Sequence, residues 1–262
     1  MHAPLYTAGA SGYDDVFAHA TRLFIPSLLQ AARLQTGHNV LDVATGTGEA
    51  AAAAAAIVGA AGSVTAGDVS PAMLDVARTK LRDAGVSFDI IDAHALPYAD
   101  QRFDRVICQL GLMLFADPAR ALSEFHRVLR PGGRVAVTVT TVPERTLFLR
   151  IAAVIARHVP DRAPAIGRHF GALDKQLLHQ LLADSGLRDI RVECECQEFR
   201  FESLDAYFSG IEAGATLSGQ EYVRLPRHLQ RAVRRDVHQQ LTSNPDGSLL
   251  VPMDVLIGSG QR

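Results

Sequence analysis

The chain has 262 residues, 48% hydrophobic and 21% charged, with a formal charge of −2; this is enough for one large α/β domain, or a domain and a cap, and gives no global attraction for nucleic acid or an anionic membrane. No signal peptide is expected, because Met1-His2-Ala3-Pro4-Leu5-Tyr6 lacks a basic segment followed by an apolar run; the alanine-rich run Ala50 to Ala61 is too short and too weakly apolar to span a bilayer. Cys108, Cys194 and Cys196 are too few for a disulfide framework, Cys194 and Cys196 read as neighbours on one face of a strand without enough ligands for a metal, and the expected compartment is the reducing cytoplasm.

The spacing predicts a helix from Asp14 to Leu34, with Phe17, Phe24, Leu28 and Leu29 apolar and Pro26 kinking or restarting it. Asn39 to Val43 is a short apolar strand that runs into a glycine loop. Glu49 to Ile57 is an alanine-rich helix and Ser63 to Ala66 a second strand. Ser70-Pro71 is a helix start, followed by the stripe Met73, Leu74, Ala77 and Leu81 and the stop Gly85. Ser87 to Ile91 and Phe103 to Gln109 are strands three and four. Asp117-Pro118 opens a helix carrying Leu122, Phe125, Val128 and Leu129. Arg130-Pro131-Gly132-Gly133 reads as a turn before a fifth strand, Arg134 to Thr140. Such alternation predicts βαβ units, right-handed crossovers and a doubly wound parallel sheet over residues 38–140.

The second half changes character. A helix follows Thr141-Val142-Pro143, with Leu147, Phe148, Ile151, Val154 and Ile155 on one face. Asp174 to Ser185 is another, before the strand Ile190 to Phe199. Helices Ser203 to Ile211 and Pro226 to Leu241 precede a last strand, Leu249 to Ile257, expected to begin irregularly at Pro252. The expected fold is α/β: a doubly wound, Rossmann-like, seven-stranded sheet, mostly parallel with an antiparallel last strand, plus a helical cap. Residues 1–36 form an N-terminal lid; 37–140, 172–200 and 246–262 form the core; 141–171 and 201–245 cap an acceptor site.

Ligands of open α/β sheets sit beyond the carboxyl ends of the strands, so the loop after strand one is the place to look. Gly46 and Gly48 let backbone approach a ligand, and the next helix offers free N–H groups. Alone, Gly46-Thr47-Gly48-Glu49-Ala50-Ala51 also fits a dinucleotide fingerprint, with Asp68 twenty residues after Gly48. Asp42 before the glycines suits a ligand carrying an ammonium and a sulfonium and repels a pyrophosphate; it also suits a plain acceptor for loop amides.

Further motifs follow in order. Val40-Leu41-Asp42-Val43-Ala44-Thr45-Gly46-Thr47-Gly48, Gly67-Asp68-Val69-Ser70-Pro71-Ala72-Met73-Leu74, Asp92-Ala93 with Leu96-Pro97, Phe103-Asp104-Arg105-Val106-Ile107-Cys108 and Arg127-Val128-Leu129-Arg130-Pro131-Gly132-Gly133-Arg134 resemble, in sequence, the signatures of class I S-adenosylmethionine-dependent methyltransferases. The resemblance is strongest to the ubiquinone and menaquinone biosynthesis branch. It implies S-adenosyl-L-methionine as cofactor and S-adenosyl-L-homocysteine as product. It further implies that Asp42, Ala44, Gly46 and Gly48 line the cofactor, with backbone at Ala44 and Gly46 facing its methionine part. Asp68 takes the ribose hydroxyls and Val69 and Met73 pack on the adenine. Asp92 accepts from the adenine amino group beside the Ala93 N–H, Gln109 and Leu110 follow near the ammonium, and Tyr13 closes over the methionine end. Thr45 stands where many relatives carry a small residue or cysteine. His94 stands where an acid or glutamine is common; it either touches the adenine rim or, the preferred reading, is an exposed loop histidine.

No residue stands out as a general base; Tyr13, His19 and His169 are weak catalytic candidates in segments that could cover the site. Leu110 to Phe115 lines an acceptor pocket or is simply core. Arg227, Arg231, Arg234 and Arg235 read as a solvated helix face. The expected function is methyl transfer to oxygen or carbon of a small, largely apolar acceptor, without metal, nucleic acid or membrane span, with a homodimer left open. The alternative is a protein that binds the cofactor without methyl transfer, as an accessory subunit or cyclisation catalyst.

Overall fold

The computed structural model describes residues 19–147, 149–163, 173–212 and 217–262. Two short helices come first, α1 (His19–Arg22) and α2 (Ile25–Ala31), with Pro26 in the first turn of α2 marking the restart. The alternating half follows: β1 (Asn39–Val43), α3 (Glu49–Val58), β2 (Ser63–Asp68), α4 (Pro71–Lys80), β3 (Val86–Ile90), β4 (Phe103–Gln109), α5 (Pro118–Val128) and β5 (Leu129–Thr140). Then come α6 (Leu149–His158), α7 (Lys175–Asp184), β6 (Arg188–Phe201), α8 (Leu204–Glu212), α9 (Leu217–Val223), α10 (Arg227–His238), β7 (Thr242–Ser243) and β8 (Leu249–Gln261). The helix starts are chemically specified. Ser70 Oγ accepts from the Met73 N–H, Asp117 Oδ1 from Arg120 and Asp174 Oδ1 from Leu177.

The sheet runs β3-β2-β1-β4-β5-β8-β6, with the two-residue β7 added on β8. Strands β1 to β5 pair in parallel, and β8 is antiparallel to both neighbours, β5 and β6. Strand order reverses between β1 and β4, which makes their carboxyl ends the switch point. Alternate residues serve opposite faces. Val40, Val64, Ile107 and Ala136 pack under α2 and α3. Leu41, Val106, Val135 and Val137 pack under α5 and α7, against Leu122, Phe125, Leu178 and Leu182.

The cap is held by strand length. Thr140, the last residue of β5, pairs with Val255, so Leu249 to Asp254 of β8 continues past the parallel strands alongside β6. This two-stranded arm carries Leu249, Val251, Met253 and Val255 into a separate apolar cluster with Ile151, Ile155, Phe208, Ile211, Val233 and Val237 of the cap helices. Pro252 does not make the strand irregular, contrary to expectation. It lies between the β5 pairing and the β7 pairing, where β8 has a neighbour on one side, and its missing N–H costs little. The expected turn at Arg130 to Gly133 lies within β5 as a bulge, the pairing with β4 jumping from the register of Leu129 to that of Arg134.

 Phe103 pairs with Leu129 and Arg105 with Arg134, so the residues between them loop out of the ladder, with Gly132 at φ 79°. Arg234 is also more than a solvated residue: it pairs with Glu212 at 2.9 Å and lies 4.6 Å from the Phe208 ring centroid, tying α10 to α8. Among the described residues no helix is long and apolar enough to cross a membrane.

Candidate active site

A cleft opens at the carboxyl ends of β1 and β4, lined by Thr21, Asp42, Ala44, Gly46, Gln109 and Leu110, with Thr45, Thr47, Glu49 and Ala50 completing it. Its backbone is unusual. Ala44 and Leu110, the residues just after β1 and β4, both adopt left-handed φ values, 58° and 50°. Non-glycine residues hold that conformation only when surrounding structure fixes it. Here the Leu110 N–H donates to the Thr138 carbonyl and hydroxyl, at 3.1 and 3.0 Å.

The two loop glycines do different work. Gly46 has φ 57°, and a Cβ placed there meets no atom of the described residues within 4 Å, which leaves room beside it for a ligand. At Gly48, φ is 89° and a Cβ would stand 2.8 Å from Leu81 Cδ1 and 3.2 Å from Ala77 Cβ. Gly48 therefore serves the close packing of α3 on α4.

Asp42 is fully buried. Among the described residues, its Oδ2 accepts from the Thr45 hydroxyl at 2.6 Å, whereas its buried Oδ1 has no hydrogen-bond partner. Burial pushes this carboxyl up to about 7; the Thr45 hydroxyl opposes the rise and the Asp68 charge adds to it. An orphaned acceptor on the wall of a cleft fits a cationic ligand group, and the ammonium of S-adenosylmethionine is such a group.

Asp68, at the end of β2, braces the loop. Its Oδ2 accepts from the Gly46 N–H and its Oδ1 from the Ser70 N–H, both at 2.9 Å. Burial raises its pKa against the pull of these amides. Each carboxylate oxygen keeps a lone pair for a further donor. Val69 is 58% exposed and Met73 is buried. Asp92 follows β3 with its Oδ1 accepting from the His94 N–H at 2.9 Å, which holds its carboxyl below the usual range; Ala93 beside it is buried. Gln109 donates through Nε2 to the Thr21 carbonyl at 2.7 Å, fastening α1 across the cleft. Tyr13 and His169 lie outside the described residues, and for His19 only its place in α1 is described.

Three residues of this region have contacts that their sequence context does not assign them. Thr45 is Asp42's partner. Glu49 pairs with Arg22 of α1 at 2.8 Å and with Lys80 of α4, so it joins α1, α3 and α4. His94 is half-buried and bonded at both ring nitrogens, which corrects its reading as an exposed loop histidine. An acid in the first turn after a glycine loop was a usable signal for Glu49. Nothing local marked the other two.

A family model described as "Methyltransferase domain" matches residues 41–137. The chain is 30% identical over 208 residues to the ubiquinone/menaquinone biosynthesis C-methyltransferase UbiE of Shewanella frigidimarina, covering 72% of this chain and 83% of that one. It is 34% identical over 156 residues to the UbiE protein of Pseudoalteromonas translucida, covering 56% of this chain and 62% of that relative's length. A Haemonchus contortus phosphoethanolamine N-methyltransferase 2, solved with phosphomonomethylethanolamine and S-adenosylhomocysteine, shares the fold with a TM-score of 0.63 at 18% identity, over all of this chain and 60% of that one. With the ordered motifs, the orphaned Asp42 oxygen and the open space beside Gly46, these likenesses lead to one conclusion: the chain belongs to the class I S-adenosylmethionine-dependent methyltransferases, in the branch of the ubiquinone/menaquinone biosynthesis C-methyltransferases.

Proposed function

We propose that the protein transfers a methyl group to carbon, with oxygen as the alternative, of a small and largely apolar acceptor enclosed by the cap helices α6, α8, α9 and α10. The observation that carries this reading is the position of Leu110. It lines the cofactor cleft and also belongs to the apolar cluster of the cap. Apolar cover thus begins where the cofactor cleft ends, and it suits an apolar acceptor. The name C-methyltransferase on the curated relatives favours carbon.

Bound S-adenosylmethionine supplies a methyl group activated by its sulfonium. The chain's own residues bind, orient and exclude water. Asp42 holds the cationic end, and Gly46 gives it room. Asp68 and Asp92 take the ribose and the adenine amino group, with Val69 and Met73 against the ring. Gln109 and Glu49 keep α1 over the cleft, which keeps water from the methionine end.

The test is incubation of the protein with S-adenosylmethionine and a panel of small apolar phenols, quinols and carbon acids, read by mass spectrometry. The expected result is a product heavier by one methylene, with the site of addition assigned by fragmentation. Tight cofactor binding with no methylated product from any acceptor would overturn the proposal in favour of a cofactor-binding protein that transfers no methyl.

A further inference from the structure

Asp92 stands mostly in solvent, its side chain 62% exposed, so packing does not fix its carboxylate. Local bonds do. Its Oδ1 accepts from the His94 N–H at 2.9 Å and lies 2.6 Å from His94 Nδ1. The far ring nitrogen, Nε2, lies 3.2 Å from the backbone nitrogen of Asp117, the residue that caps α5. A backbone N–H can only donate. Nε2 therefore accepts, and in the neutral ring the proton sits on Nδ1, aimed at Asp92. The ring also stands edge-on to Phe115, with centroids 5.8 Å apart, and the His94 carbonyl accepts from Arg120 Nε at 3.1 Å. Among the described residues, Asp92 Oδ2 has no such bond.

We propose that His94 is a positioning residue for base recognition: it holds Asp92 by Oδ1 so that Oδ2 is presented to the adenine amino group. The inference rests on the reading of Asp92 as the adenine acceptor. A carboxylate free to rotate presents either oxygen in many directions; one locked by a neighbour presents a single acceptor at a fixed angle. The enzyme then distinguishes adenine, which donates from its amino group, from hypoxanthine, which carries a carbonyl oxygen there and repels the carboxylate.

His94 also anchors its loop to α5, and two substitutions separate the roles. In His94→Asn the side-chain amide lies where Nδ1 lies and can still donate to Asp92, but the bond from Asp117 is lost. In His94→Gln the amide reaches the place of Nε2 and can accept from Asp117, but the bond to Asp92 is lost. The experiment is calorimetric titration of the wild type, Asp92→Asn, His94→Asn and His94→Gln with S-adenosylhomocysteine and with S-inosylhomocysteine, after thermal melts show each protein folded. The wild type is expected to prefer the adenosyl compound by about tenfold or more, the scale of one hydrogen bond to a charged group. Asp92→Asn abolishes that preference. His94→Gln reduces it at least about threefold, and His94→Asn keeps it. If His94→Gln keeps the preference and His94→Asn loses it, or if both weaken the two ligands equally, His94 is a loop anchor and the proposal is overturned. If the wild type shows no preference, or Asp92→Asn retains it, the reading of Asp92 fails and the proposal falls with it. Should one histidine variant fail to fold, the preference kept or lost by the other decides.

Discussion

Asp42→Asn removes a buried charge while keeping the shape of the side chain, and it should move stability and binding in opposite directions. Burial raises the Asp42 carboxyl from its usual 3.8 to about 7. A carboxyl displaced by that much prefers its proton in the folded state by about 4 kcal/mol. Between those two values the unfolded chain binds fewer protons than the folded one. The contribution of Asp42 to cofactor-free stability is therefore full below about 4, falls as pH rises towards 7, and stays lost above it. Asparagine has no proton to lose. The stability of the variant relative to the parent should then increase by about 2–3 kcal/mol between pH 5 and pH 8, since the part lost below pH 5 is already gone. Taking the difference between two proteins cancels the titration of groups that do not interact with Asp42; Asp68, whose charge acts on Asp42, adds a change of its own. Cofactor binding should respond the other way, because on the proposed reading the variant gives up the charge that holds the ammonium: S-adenosylhomocysteine should bind about tenfold more weakly or worse at pH 8. Urea denaturation of cofactor-free protein at both pH values and calorimetry at pH 8 provide the two readouts. A stability difference that does not change with pH, or an unchanged affinity, would refute the reasoning.

Other perturbations follow from the same geometry. Gly46→Ala and Gly48→Ala should separate: both strain a left-handed φ, but the Gly48 change also meets Leu81 and Ala77 and should cost about 2–3 kcal/mol by urea denaturation, whereas the Gly46 change should cost about 1 kcal/mol and mainly weaken cofactor binding. Arg127 donates to Glu124, Asp100 and the carbonyls of Leu96 and Tyr98. Arg127→Met leaves the buried Glu124 carboxylate without its main partner and should cost about 3 kcal/mol, part of which Glu124→Gln restores in the double variant; a double variant no more stable than Arg127→Met would exclude that cause. Phe208 is fully buried in the cap between Tyr207, Tyr222 and Arg234. Phe208→Leu should lower stability by about 1–2 kcal/mol and raise the acceptor KM while leaving the cofactor Kd unchanged; an altered cofactor Kd alone would speak against the cap as the acceptor cover.

Particular elements show what was readable. The start of α4 at Ser70-Pro71, the strand Asn39–Val43 and the glycine loop after it are specified by residues within a few positions of one another, and each lies where its local chemistry puts it. Strand ends were less readable. β6 runs from Arg188 to Phe201 and β8 to Gln261, beyond the expected Ile190–Phe199 and Leu249–Ile257, because pairing with a neighbour extends a strand past its own hydrophobic run. The bulge in β5 at Arg130 to Gly133 looked like a turn because glycine and proline mark both.

By itself, the sequence determined the alternation of strands and helices through β5, the loop that bears Asp42, Gly46 and Gly48, and the acids Asp68 and Asp92 after the next two strands. These are local patterns, and local sterics and capping suffice to set them. Only the tertiary structure decided what those residues meet. The fastening of Gln109 to Thr21 joins positions 88 residues apart, and the arm that carries the cap depends on β8 entering between β5 and β6. Burial of Asp42 and the hold of Asp117 on His94 likewise depend on chain segments brought together by folding. Desolvation and hydrogen-bond direction are properties of a surrounding volume, and a single stretch of chain does not contain them.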